Sequence, residues 1–169
     1  MQMQNQTLVL DSHQIDQKII RIAWQIYEDN SDEKEIIMAG IISSGYTVAE
    51  KIAAALEKIS PMKVQLISIG INKHSHHNEE VKISIDHSAL KDKIVIVVDD
   101  VLNSGKTMMY ALRPFLSADL KKLRTVVLVD RNHKRYPISA DFAGLSLATT
   151  LKEHVSVVLN NGSSGVYLE

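Results

Sequence analysis

The sequence predicts an α/β fold: a single doubly wound domain with a central, mainly parallel sheet, helices on both faces and a small hood. Three observations predict it. Four short apolar runs, 36–42, 64–71, 94–98 and 124–129, are rich in Ile and Val and show little polar alternation, as strands covered on both faces do. Segments of helical spacing lie between several of them, the signature of parallel strands joined by crossovers. Twice a run passes straight into a small-residue turn and an expected helix, at Ser43-Ser44-Gly45 and at Asn103-Ser104-Gly105. Such units hold phosphorylated ligands at the carboxyl ends of strands. The 169 residues suit one domain, 1–169, with room for a sizeable core.

Each element follows from local signals. Residues 7–10 form a short strand. Asp11 opens a helix, with Gln14 three residues on completing a capping box. Ile15, Ile19, Ile22, Ala23 and Ile26 share one face at helical spacing, while Trp24 and Tyr27 lie near its edge, where they would suit a subunit interface. After the 36–42 strand, Thr47 and Glu50 make a second capping box, for a helix reaching about Ile59. Residues 72–82 form a polar loop carrying His74, His76 and His77, without the carboxylate-supported spacing of a zinc helix. A helix starts near Lys106, and Pro114 should kink it or end it early. Residues 140–143 read as a short strand. Residues 155–159 and 166–168 read as edge strands joined by a turn-rich loop.

Composition narrows the function. Net charge is −1, so nothing global attracts a nucleic-acid backbone, and RNA binding would need a local patch. No cysteine is present, which excludes disulfides and thiolate metal sites and fits a reducing cytoplasm. The polar start of the chain does not read as a signal peptide, and no apolar stretch is long enough to span a membrane.

Chemistry concentrates at 93–107. The apolar run ends in Asp99-Asp100, then Asn103-Ser104-Gly105-Lys106-Thr107. Gly-Lys-Thr suggests an ATP-binding P-loop, but that loop needs a glycine five positions before its Gly-Lys, where Asp100 stands. Ionised carboxylates accept from hydroxyls, while the backbone N–H groups of 103–107 and the Thr107 hydroxyl suit a phosphate. One small molecule needs both: a sugar phosphate.

Val-Val-Asp-Asp-Val-Leu-Asn-Ser-Gly-Lys-Thr, 97–107, resembles the 5-phosphoribosyl diphosphate (PRPP) motif of type I phosphoribosyltransferases. Residues 128–144 resemble one branch of that family, the bacterial pyrimidine-operon attenuators that are also uracil phosphoribosyltransferases. The resemblance implies transfer of ribose 5-phosphate from PRPP to a nucleobase, with uracil favoured and Mg2+ as cofactor, bound through PRPP and water. It implies that Asp99 and Asp100 bind the ribose hydroxyls and that 103–107 bind the 5-phosphate. Ser43, Ser44 and Gly45 would hold the diphosphate, Lys73 would lie on a lid, and Arg131 would lie at the hood edge where the base is read. The hood would comprise the N-terminal helix and about 131–152, and the protein would be at least a homodimer.

Four departures matter. The branch commonly has a basic residue in the turn held here by Ser43-Ser44. It has an arginine in the lid, where this chain offers only Lys73 and Lys82 as cations. Asn103 stands where purine-specific members have a general-base aspartate, which argues against hypoxanthine and guanine. Ser139 and Leu145 replace commonly basic positions, leaving Arg21, His133, Lys134 and Arg135 as candidates to meet RNA. Two alternatives to an enzyme stay open: a regulator that binds pyrimidine-operon RNA, and a catalytically weak PRPP or nucleotide sensor.

Overall fold

Six strands form the main sheet, in the order β4-β3-β2-β5-β6-β7. They are β2 (Glu35–Ile41), β3 (Lys63–Gly70), β4 (Lys82–Ile83), β5 (Ile94–Leu102), β6 (Lys122–Asp130) and β7 (Phe142–Ser146). All neighbours are parallel except β4, which runs antiparallel to β3. The structure, a computed structural model, describes residues 6–71, 80–150 and 153–169. Lys73 and the three loop histidines lie outside the described residues. Among those described, no helix is long and apolar enough to cross a membrane.

The central strands alternate their side chains between two apolar layers. Met38, Ile96 and Val98 face α1 (Ser12–Asp29) and α2 (Ser44–Ile59). Ile37, Ala39, Val95 and Val97 face α3 (Lys106–Leu116) and the short 3-10 turn at His87–Leu90. Burial on both faces is why these strands read as unbroken apolar runs rather than as alternation. The helices therefore cover both faces, and the doubly wound fold is as expected.

The expected capping box at Asp11 is present: Gln14 N donates to Asp11 Oδ1 at 2.8 Å, and Asp11 N donates to Gln14 Oε1 at 2.9 Å. The box expected at Thr47 and Glu50 is not used. Helix α2 begins four residues earlier, at Ser44, and its cap Ser43 makes no side-chain capping bond. Packing sets this start. A Cβ on Gly40 would lie 2.5 Å from Tyr46 Cα, so glycine in β2 lets the first turn of α2 fold back over the strand. Helix α3 runs on through Pro114 and stops two residues later. The Pro114 carbonyl accepts from His87 Nε2 at 3.0 Å.

A second, smaller sheet is present. It is a three-stranded antiparallel sheet, β1-β9-β8, from β1 (Thr7–Leu10), β8 (Val155–Val158) and β9 (Gly165–Leu168). Helix α1 is part of the core beneath the main sheet, because its face of Ile15, Ile19, Ile22, Ala23 and Ile26 is buried there. Residues 131–138 form a strap against the 103–107 turn. Residues 140–141 are tied to β6 by Asp141, whose Oδ2 accepts from Thr125 N at 2.9 Å. That tie moves the expected 140–143 strand to Phe142–Ser146.

Candidate functional site

Two strand-to-helix turns meet at the carboxyl edge of the sheet, because β2 and β5 are adjacent and parallel. Gly45, in the first turn of α2, is pressed against the end of β5. A Cβ there would lie 2.9 Å from both Asp99 Oδ1 and Val98 O. The carboxylates of β5 thus stand beside the N-terminus of α2, where unpaired N–H groups and the helix dipole favour anions. The Ile42–Ser43 peptide bond is cis.

Asp99 is 5% exposed and Asp100 half-buried. Asp99 Oδ1 accepts from Asp100 N at 2.9 Å, and Asp100 Oδ1 accepts from Val101 N at 2.8 Å. These bonds hold both carboxyl groups close to the backbone. The chain then turns through Gly105, whose φ of +88° suits glycine. Gly105 caps α3, and Lys106 N donates to Ser104 Oγ at 3.3 Å. Thr107 and Met108, in the first turn of α3, line the same opening as Gly105.

A cleft of about 270 Å³ joins Asp99, Asp100, Asn103, Ser104, Gly105, Thr107 and Met108 to residues 154–157 of the small sheet. His154 and Ser156 were not among the sequence candidates. Strand β8 is the last in its sheet. His154 and Glu169 exchange both backbone bonds, each at 2.8 Å. Antiparallel alternation then turns the N–H and C=O groups of Val155 and Val157 away from β9. They lie on the free edge, which lines the cleft.

A second opening lies between Ser43, Ser44 and Thr47 and residues 157–160. A third, more basic one is lined by Asn103, Ser104, Arg131, His133, Lys134 and Arg135. Arg131 does not point a free guanidinium into the cleft. It donates to Thr149 Oγ1 at 2.7 Å, to Asn103 Oδ1 at 3.4 Å, to Thr150 O at 3.0 Å and to Glu153 O. Arg21 donates to the carbonyls of Ala143 and Gly144 and so pins α1 to β7. Lys134 pairs with Asp130 at 3.5 Å.

The sites for a metal are modest. Among the described residues, no group of three or more His, Asp or Glu could hold one. Asp99 and Asp100 are hard oxygen donors of the kind Mg2+ takes while keeping several waters and substrate oxygens. The pair therefore fits a metal that arrives with a diphosphate.

Two strand-to-helix turns, a carboxylate pair between them and an edge strand overhead make an α/β protein whose cleft suits a phosphorylated, hydroxyl-bearing ligand. The match to known families agrees: the phosphoribosyl transferase domain model covers residues 5–159, and the chain belongs to that family. Its relatives include the Bifunctional protein PyrR of Clostridium botulinum, 33% identical over 165 residues, covering 94% of this chain and 92% of that one. Bifunctional protein PyrR 2 of Lactiplantibacillus plantarum is 30% identical, covering 94% of this chain and 95% of that one. Similar folds are found in a Trypanosoma cruzi hypoxanthine phosphoribosyltransferase complexed with IMP (TM-score 0.76, 16% identity, 88% and 74% of the two chains). A Bacillus anthracis hypoxanthine-guanine phosphoribosyltransferase is also similar (TM-score 0.70, 21% identity, 83% and 82%).

Proposed function

We propose that this phosphoribosyltransferase transfers ribose 5-phosphate from PRPP to uracil, releasing diphosphate. One juxtaposition carries the reading: the Asp99-Asp100 pair and the 103–107 turn lie under the free edge of β8. Asp99 and Asp100 take the ribose hydroxyls, and 103–107 with Thr107 take the 5-phosphate. Ser43, Ser44 and Gly45 receive the diphosphate through N–H groups and hydroxyls. Magnesium, when bound, neutralises charge on the departing diphosphate. The ribose C1 then gains oxocarbenium character, and the chain's work is positioning and exclusion of water.

The β8 edge offers Val155 C=O and Val157 N–H in sequence. A base whose ring N–H stands beside a carbonyl matches that pair, and uracil and 6-oxopurines both qualify. Asn103 supports uracil. A neutral amide takes no proton from a purine, so the purine route lacks its base. The resemblance of 128–144 to the uracil branch points the same way. The test is diphosphate release from PRPP with uracil, hypoxanthine and guanine supplied separately. We expect uracil to be fastest; faster turnover with either purine overturns the base assignment and leaves the PRPP site standing.

Ile20 and Trp24, one helical turn apart on α1, are 48% and 46% exposed, which supports a homodimer. The lack of cysteine supports a cytoplasmic location. RNA binding is the second reading, favoured by the basic opening at 131–135 and by the relatives named Bifunctional protein PyrR. Arg21 and Arg131 are committed to backbone carbonyls and Lys134 to Asp130. A gel-shift titration against a pyrimidine-operon leader at two salt concentrations tests it. We expect no specific complex; nanomolar binding that weakens steeply with salt would establish the RNA function.

A further inference from the structure

Arg131 holds on to both walls of the cleft at once. One wall is the turn, where Nη1 donates to Asn103 Oδ1 at 3.4 Å. The other is the approach to β8. There Nε donates to Thr149 Oγ1 at 2.7 Å, while Nη2 donates to Thr150 O at 3.0 Å and to Glu153 O, one residue before His154. These bonds engage four of the five guanidinium donors. Its own backbone N–H donates to Leu102 O at 3.0 Å, so the residue is anchored at its base as well.

The surroundings stiffen this arrangement. His133 Nε2 meets Thr149 O at 2.7 Å, bracing the same connection. Arg135 N and Tyr136 N both donate to Ser104 O, at 2.8 and 3.0 Å. A Cβ on Gly105 would lie 2.6 Å from Ile138 Cγ2, so the strap sits directly on the turn.

We propose that Arg131 is a positioning residue that fixes the spacing between the 103–107 turn and the free edge of β8, and with it the slot for the base. This rests on the reading of the cleft given above. A guanidinium suits the task because it is planar, permanently charged and rigid in its fork. A lysine offers one flexible point charge and cannot hold two walls at a set distance. With four of its five donors engaged, the guanidinium has little left with which to read the base itself.

Calorimetric titration of the full chain with ribose 5-phosphate and with UMP separates positioning from plain stability. The first ligand needs only the turn; the second also needs the slot. In Arg131→Lys we expect ribose 5-phosphate affinity to stay within about 2-fold, while the ratio of UMP to ribose 5-phosphate affinity falls by roughly 10-fold or more. Thr149→Val, a milder change, should lower the same ratio by less. The double variant should fall no further than Arg131→Lys alone, since both act on one contact network. Equal weakening of both ligands, or an unchanged ratio, would overturn the positioning role. Wild-type protein that binds UMP no tighter than ribose 5-phosphate would instead overturn the uracil reading, and this role with it.

Discussion

Gly45 and Asp99 touch across the sheet's carboxyl edge: a Cβ on Gly45 would lie 2.9 Å from Asp99 Oδ1 and 3.0 Å from Asp99 Cα. Two turns far apart in sequence therefore share one surface. Gly45→Ala should force the first turn of α2 away from β5. Overpacking of this kind costs roughly 1–3 kcal/mol. We expect lower stability in denaturant unfolding together with weaker PRPP binding by calorimetry. Wild-type values of both would show that the contact is slack.

Asp99→Asn and Asp100→Asn should each weaken PRPP binding and leave the fold intact. A hydrogen bond to a charged acceptor contributes about 1.5–3 kcal/mol, so a loss of roughly 10-fold or more is expected for each. Titration with PRPP, alongside circular dichroism, decides it. Unchanged affinity in both variants would remove the ribose from this pair.

Asn103→Asp restores the carboxylate used by purine-specific members. General-base help is worth about 10²–10⁴-fold. The new carboxylate would face Arg131 Nη1, which now donates to Asn103 Oδ1. An ion pair there lowers its proton affinity, so the gain in hypoxanthine turnover should fall at or below the low end of that range. Steady-state rates with hypoxanthine for the two proteins give the answer directly.

Asp29 predicts an acid-sensitive tie between α1 and β6. Burial pushes its carboxyl up, but hydrogen bonds and charge from Arg124 and Lys122 outweigh that and hold it below the usual range. Arg124 Nε lies 3.1 Å and Lys122 Nζ 3.3 Å from Asp29 Oδ2. Because the folded-state value is depressed, the stabilisation is present above the unfolded value, about 3.9, and disappears as pH falls through the folded one. Asp29→Asn should therefore be less stable than wild type near neutrality, and the difference should shrink below about pH 4. Melting temperatures across that range test the sign.

The two turns were legible because short-range order encodes them: buried strand, small residues, helix. Of the small sheet the three strands were legible, but the pairing of β1 with β9 was not. Thr7 pairs with Leu168, and nothing near either residue announces a partner at the other end of the chain. His154 and Ser156 escaped notice for a related reason. Their place over the cleft depends on which edge of β8 stays unpaired, a property of the sheet and not of the strand. Arg131 was singled out from the sequence, but its partners Asn103, Thr149, Thr150 and Glu153 are distant in sequence. The family resemblance placed Arg131 where the base is read, whereas its hydrogen bonds tie the turn after β5 to the approach to β8. At Thr47 the capping signal was present and tertiary packing overrode it.

The unpaired edge of β8 has a bearing on solubility. Val-Ser-Val-Val with open backbone groups is the kind of strand that recruits a second chain and seeds aggregates. Here that edge looks inward, across the cleft to the turn after β5, rather than out to solvent. The turn after β5 stands across the cleft from this edge, where a pairing strand would have to lie. One placement thus sets a row of open backbone groups against the chain's own turn.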